Sequence, residues 1–234
     1  MKKIIGLVPA SNNLFKTELV YEDKYSFPNN YIERINECGA IAIGILPCNA
    51  YIDKEKLGLC DGFVMTGGGK IHSYHIQIID YAVKNNKPLL GICMGMQTLA
   101  IYFLLCKEKK ERNYEGSIIE LFENLKENKY NFTEPIEGHR NADLKRDNIE
   151  DIKHKVILDK NSILYDLYKK EVLNMPSIHK YRISKVEEPL QVKGRAEDGT
   201  VEVIEYNDRI FGVQFHPENE SINNCIFKYI ISKC

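Results

Sequence analysis

Apolar residues recur along the chain in two ways, as short unbroken runs and as stripes spaced three and four residues apart. Unbroken runs stand at 4–9, 40–46, 62–66 and 89–92, each closed by Pro, Gly or a polar residue. They read as strands buried on both faces. Between them, apolar positions fall at helical spacing over 31–38 (Tyr31, Ile32, Ile35, Cys38) and 73–85 (Ile76, Ile79, Tyr81, Val83), and 53–59 reads as a short helix. Asn30 is the expected cap of the first helix and Gly39 its stop. Strand and helix thus alternate through the first hundred residues. That order predicts parallel strands with right-handed crossovers, hence an open α/β sheet with helices on both faces. Residues 11–28 are polar and mixed and read as a loop over the sheet edge.

The second half is less regular. A helix is expected over 117–128, where Ile118, Leu121, Phe122 and Leu125 form the stripe, and another after Asn161 or Ser162. Strands are expected at 155–158, 182–186, 191–195, 201–206 and 210–215, with turns at Asp198-Gly199 and Asn207-Asp208. Turn-linked strands of this kind add a few antiparallel members to the sheet. The charged run 107–112 reads as a solvated connection and 220–231 as a closing helix. Nothing repeats and no stretch reads as a linker, so 1–234 is expected to form a single domain.

Composition narrows the partners. A net charge of -1 gives no electrostatic reason to expect nucleic acid or an anionic membrane. The apolar run after Lys3 is stopped by Pro9, too early for a secretory signal, and no stretch approaches the length of a membrane span. Seven cysteines, an odd number without metal-type spacing, suggest free thiols in a reducing, cytoplasmic setting.

One of these cysteines stands apart. In Gly91-Ile92-Cys93-Met94-Gly95 a thiol sits where a buried strand must turn sharply into an apolar helix. Small residues two before and two after are what such an elbow requires, because the chain reverses tightly there. A thiol at a helix start also meets the positive end of the helix dipole, which favours the reactive thiolate. Near the other end, His216-Pro217-Glu218 places a base and a carboxylate two residues apart. Pro217 biases His216 towards extended backbone, where alternate side chains project the same way. A thiol nucleophile needs such a base, and the base needs a group to orient its ring. Gly67-Gly68-Gly69 ends a predicted strand, as Cys93 does, and ligands in open α/β sheets gather at those ends. His72 and His75 lack a third ligand and read as exposed or rim residues; no metal and no cofactor is expected.

Two of these stretches, 91–97 (Gly-Ile-Cys-Met-Gly-Met-Gln) and 212–218 (Gly-Val-Gln-Phe-His-Pro-Glu), resemble the two signatures of class I glutamine amidotransferases. The wider chain is similar to that superfamily's hydrolase branch, the peptidase C26 group that contains γ-glutamyl-γ-aminobutyrate hydrolases. Supporting stretches begin at Tyr31, Asp61, His154, Ser177 and Gly194. The resemblance implies a flavodoxin-like sheet and a Cys93–His216–Glu218 triad. It implies an oxyanion hole of the Gly68 and Met94 amides, and substrate contacts from Gly67, Gln97, Ser177, Ile178 and His179. It further implies hydrolysis of a small γ-glutamyl amine or peptide through a thioester. A glutaminase subunit feeding ammonia to a separate synthase is the alternative, and a non-catalytic binding protein a third reading; a homodimer stays open. The departures lie at the substrate rim. Lys70 stands where the branch usually has an acidic residue, Met94 where it often has Arg, and only residues 70–92 separate the glycines from Cys93.

Overall fold

Among the described residues, nine strands hydrogen-bond into one sheet. In chain order they are β1 (Ile4–Val8), β2 (Ile41–Gly44), β3 (Gly62–Met65), β4 (Leu89–Ile92), β5 (Lys153–Leu158), β6 (Val172–Pro176), β7 (Gln191–Ala196), β8 (Val201–Glu205) and β9 (Ile210–Val213). Their spatial order is β2-β1-β3-β4-β9-β8-β7-β5-β6. The first five in that order run parallel, and every pairing from β9 to β6 is antiparallel. This computed structural model describes residues 1–11, 25–48, 51–128, 131–139 and 149–234. Most of the expected loop at 11–28 lies outside the described residues.

The sheet separates two apolar cores because alternate strand residues face opposite ways. Phe63, Met65 and Leu89 face a layer made by α3 (Ser73–Lys84), α4 (Met94–Glu111) and α5 (Ile118–Glu127). Val64, Leu90 and Ile92 face α1 (Asn29–Glu37), α6 (Ile163–Tyr168) and α7 (Asn224–Ser232). Helices therefore cover both faces, as the alternating pattern predicts. A short helix, α2 (Lys54–Gly58), connects β2 to β3. No helix among the described residues is long and apolar enough to cross a membrane.

Several local expectations fail for identifiable reasons. The charged run 107–112 is not a connection but, through Glu111, about the last turn and a half of α4. Lys, Glu and Arg are good helix formers, and Arg112–Glu108 and Lys107–Glu111 pair along the helix. Pro28, not Asn30, precedes α1; Asn30 lies inside the helix and its side chain donates to Asn219 Oδ1 at 2.8 Å. The strand expected at 182–186 is only Tyr181–Ile183, and it pairs with Thr133–Pro135 outside the main sheet. Strand β6 was not expected at all. His75 is neither exposed nor at a rim. It is buried against Tyr74, and burial lowers its imidazole pKa to about 3.

The seam between β4 and β9 positions the site. Three glycines let α4 press onto it and onto the neighbouring β3. A Cβ on Gly91 would lie 2.7 Å from the backbone of Gly95, one on Gly95 2.6 Å from the Met65 carbonyl oxygen, and one on Gly212 2.8 Å from Met96 Cγ. Rigid backbone cannot yield as a side-chain tip can. Gly95→Ala is therefore expected to destabilise the fold by about 3 kcal/mol, read as a lower urea midpoint at unchanged slope.

Candidate active site

Cys93 is the hinge between β4 and α4, with φ 53° and ψ -106°. Its amide donates to the Val213 carbonyl at 2.8 Å, which continues the sheet, and its carbonyl accepts from Gln97 N at 3.0 Å, which begins the helix. Two regular ladders meet at one residue, and the left-handed backbone there is the geometry of a nucleophile elbow. The thiol is nearly enclosed, at 7% exposure.

His216 follows β9 and is tied to the end of β6 by its amide, which donates to the Pro176 carbonyl at 2.8 Å. Its Nδ1 lies 2.6 Å from Glu218 Oε1. The two meet through a 3-10 turn, Pro217–Asn219, rather than along an extended strand. Proline at the first position of a helical turn is favourable, and here it folds Glu218 back beneath the ring. Burial disfavours a charged imidazole, but the Glu218 carboxylate and the Cys93 sulfur outweigh it and hold the His216 pKa well above its usual range. His216 Nε2, the ring atom opposite Glu218, has no well-aligned hydrogen-bond partner among the described residues.

The glycine run closes over this pair. A Cβ on Gly67 would lie 2.8 Å from His216 Cε1, 3.3 Å from the Tyr31 hydroxyl and 3.4 Å from Cys93 Cβ. Four chain segments converge within that small space. The Gly67 amide donates to the Tyr31 hydroxyl at 3.0 Å. Burial and the neighbouring Glu218 carboxylate raise the Tyr31 pKa well above the usual phenol range, so the hydroxyl keeps its proton. Sequence reading missed Tyr31 as a functional residue, because its position on the α1 stripe looks like simple core packing. Tyr31→Phe would leave the Gly67 N–H without an acceptor and free the loop. The expected result is a kcat reduced about tenfold with little change in thermal midpoint, checked by steady-state kinetics beside a melt.

A pocket of about 370 Å³ opens next to the elbow, with Gly68, Met94, Gln97, Tyr181, Lys70 and Lys126 among its lining residues. The Met94 amide is at the first position of α4, where no carbonyl of the helix can reach it. Gln97 uses its amide nitrogen on the Tyr181 carbonyl at 2.9 Å and on Gln214 Oε1 at 3.1 Å. Ser177 and His179 are buried and do not line this pocket; nor does Ile178. His179 lies behind the pocket wall, joined to it through the Tyr181 carbonyl, which its Nδ1 meets at 3.0 Å.

Comparisons with known proteins bear on the family and the fold. A model of the peptidase C26 family matches residues 72–218, more than half the chain and a span that includes Cys93, His216 and Glu218. The chain belongs to the peptidase C26 family. It is 26% identical to a Rickettsia prowazekii protein described as glutamine amidotransferase-like, over 98% of this chain and 97% of that one. It is 30% identical to the CTP synthase of Clostridium kluyveri over 73% of its own length, but spans only 33% of that enzyme. Among solved structures, a Thermoplasma acidophilum protein described as part of a GMP synthase superposes with TM-score 0.65 at 17% identity, covering 100% of this chain and 94% of that one. The glutaminase domain of Trypanosoma brucei CTPS, with bound acivicin, superposes with TM-score 0.64 at 18% identity, covering 98% and 91%. These structures share the fold. Family and relatives together make this C26 member a glutamine amidotransferase-like hydrolase.

Proposed function

We propose that this C26 protein hydrolyses the γ-glutamyl amide bond of a small γ-glutamyl amine or peptide and releases glutamate. The observation that carries the reading is the meeting of Cys93 on its elbow with the His216–Glu218 pair at the β4–β9 seam, beside an open pocket. In the first half-reaction the Cys93 thiolate attacks the γ-carbonyl carbon and a C–S bond forms. The carbonyl electrons move onto oxygen, where the Met94 and Gly68 amides receive them. The tetrahedral centre collapses, the C–N bond breaks, and the protonated His216 gives its proton to the leaving nitrogen. Water then attacks the γ-glutamyl thioester and passes a proton to His216. The C–S bond breaks, glutamate leaves, and the Cys93 thiolate and protonated His216 are restored. Glu218 holds the imidazole in one orientation throughout. Gln97 holds the substrate: with its nitrogen engaged elsewhere, its carbonyl oxygen is the acceptor for the glutamyl amino group.

The pocket lining favours an acidic leaving group. Among the described residues it contains Lys70 and Lys126 and no carboxylate, so an amine that itself carries a carboxylate would be held at the rim. Purified enzyme should release glutamate from γ-glutamyl amino acids faster than from free glutamine. Lys70→Glu should reduce kcat/KM for the acidic substrates by about tenfold while sparing a neutral γ-glutamyl amide. No release from any member of such a panel would sink the reading.

A second reading draws on the CTP synthase relatives and the short connection between Gly69 and β4. Here the chain is a glutaminase that supplies ammonia to a separate synthase. It predicts glutaminase activity that appears only when a co-purifying partner is present, and poor turnover of γ-glutamyl amines by the chain alone.

A further inference from the structure

Behind the pocket wall, three histidines and a glutamate from four separate pieces of chain converge. His139 comes from the loop after Thr133–Pro135, His154 from β5, His179 from the loop after β6 and Glu202 from β8. Glu202 Oε1 lies 3.6 Å from His139 Nδ1, 3.3 Å from His179 Nε2 and 3.4 Å from His154 Nε2. Glu202 has no solvent exposure, and His139 and His179 are buried. Yet, among the described residues, neither Glu202 oxygen accepts a well-aligned hydrogen bond. A buried carboxylate in that condition is costly unless something cationic sits against it.

The outer faces of the rings show what that is. His139 Nε2 lies 3.1 Å from Asp198 Oδ2, and His179 Nδ1 lies 3.0 Å from the Tyr181 carbonyl oxygen. Both partners are acceptors, so those two ring nitrogens carry the hydrogens. In neutral rings the inner nitrogens, His139 Nδ1 and His179 Nε2, then present lone pairs. They face each other at 3.0 Å, with Glu202 Oε1 as the third electron-rich atom. A hydrogen on His154 Nε2, 3.4 Å from Glu202 Oε1, can serve only that carboxylate; the two imidazole lone pairs facing each other at 3.0 Å still repel unless a cation lies between them. Ligands on a tetrahedral ion with bonds of about 2.0–2.1 Å stand roughly 3.3 Å apart, close to the three separations found here. Histidines whose far N–H groups are held by a carboxylate and a carbonyl are the usual outer support of metal ligands. Glu202 and Asp198 together balance a doubly charged ion. A small cavity of about 50 Å³ lined by His139, His154 and Ser177, among others, adjoins the cluster and has room for a water molecule as fourth ligand.

We propose that His139, His179 and Glu202 bind one divalent transition-metal ion of the zinc class, with Asp198 orienting His139 and a water beside His154 completing the site. The ion takes no part in amide cleavage. It ties β8 to the two loops that carry His139 and residues 177–181, and so braces the Tyr181 carbonyl to which Gln97 is anchored. The site goes beyond the hydrolase reading and does not depend on it.

The test uses the full chain, stripped with a chelator and titrated with Co²⁺, then Zn²⁺. One equivalent of Co²⁺ should enter and give the visible bands of a tetrahedral nitrogen–oxygen site without thiolate charge transfer. Zn²⁺ should displace it, and the thermal midpoint should rise with metal concentration. Glu202→Gln should lose stoichiometric uptake, and Asp198→Asn, which keeps all three ligands, should bind about 10–100-fold more weakly. If Glu202→Gln proves unfolded by circular dichroism, Asp198→Asn decides, because that side chain is half exposed. Three results would overturn the proposal. One is no saturable uptake, which would leave a protonated imidazole as the partner of Glu202. Another is uptake with sulfur bands, which would place the ion on thiols. The last is unchanged binding in both variants.

Discussion

Replacing Cys93 by alanine is expected to abolish glutamate release, by more than about 10⁴-fold, while the protein stays folded. The change removes one sulfur atom from a nearly enclosed position and leaves both backbone ladders at the elbow intact. Binding should therefore survive where turnover does not, and a γ-glutamyl amide should still protect the variant against thermal unfolding. In the wild type, mass spectrometry of quenched reactions should find the γ-glutamyl adduct on the peptide containing Cys93 and on no other cysteine peptide. All seven cysteines are free thiols, so the site of the adduct is informative. Activity in Cys93→Ala above a tenth of the wild-type value would rule out this nucleophile.

Glu218→Gln should have the second-largest effect, a kcat lowered about 10²–10⁴-fold at neutral pH. Glutamine keeps the shape of the side chain beneath His216 but removes its charge. Burial alone would drive the ring towards neutrality, and the carboxylate is a main force opposing it. Without it the imidazolium loses its proton at lower pH, and the alkaline limb of the pH–rate profile should move down. A purely structural role for Glu218 would depress the whole profile and leave the limb where it was. The two substitutions touch one connected unit, so their effects should not add.

How much of this was legible in the chain depends on the distance over which each feature is built. Strand β4 matches the apolar run residue for residue, because a strand buried on both faces needs only four consecutive apolar positions. The elbow is equally local, a cysteine framed by the two glycines that its close packing demands. The His216–Glu218 pair was visible as a spacing, but its geometry was misread, since Pro217 opens a 3-10 turn instead of extending the strand. Residues 107–112 misled because the same side chains that suit solvent also suit a helix surface. Strand β6 carries Asn174 and Pro176 among its five residues, which hides it from any propensity rule. Tyr31 meets Gly67 across 36 positions, and His139 meets His179 across 40. No local pattern records contacts of that range; they exist only once the sheet has brought the loops together.

The backbone at Cys93 has a further consequence for anyone who alters this protein. A non-glycine residue held at φ 53° and ψ -106° sits outside the comfortable regions, at a cost on the order of 1–3 kcal/mol. Glycine at that position would relieve the cost and eliminate the thiol. A library screened for heat resistance alone would therefore enrich inactive Cys93→Gly variants, so any thermostabilisation campaign must select for turnover in the same round.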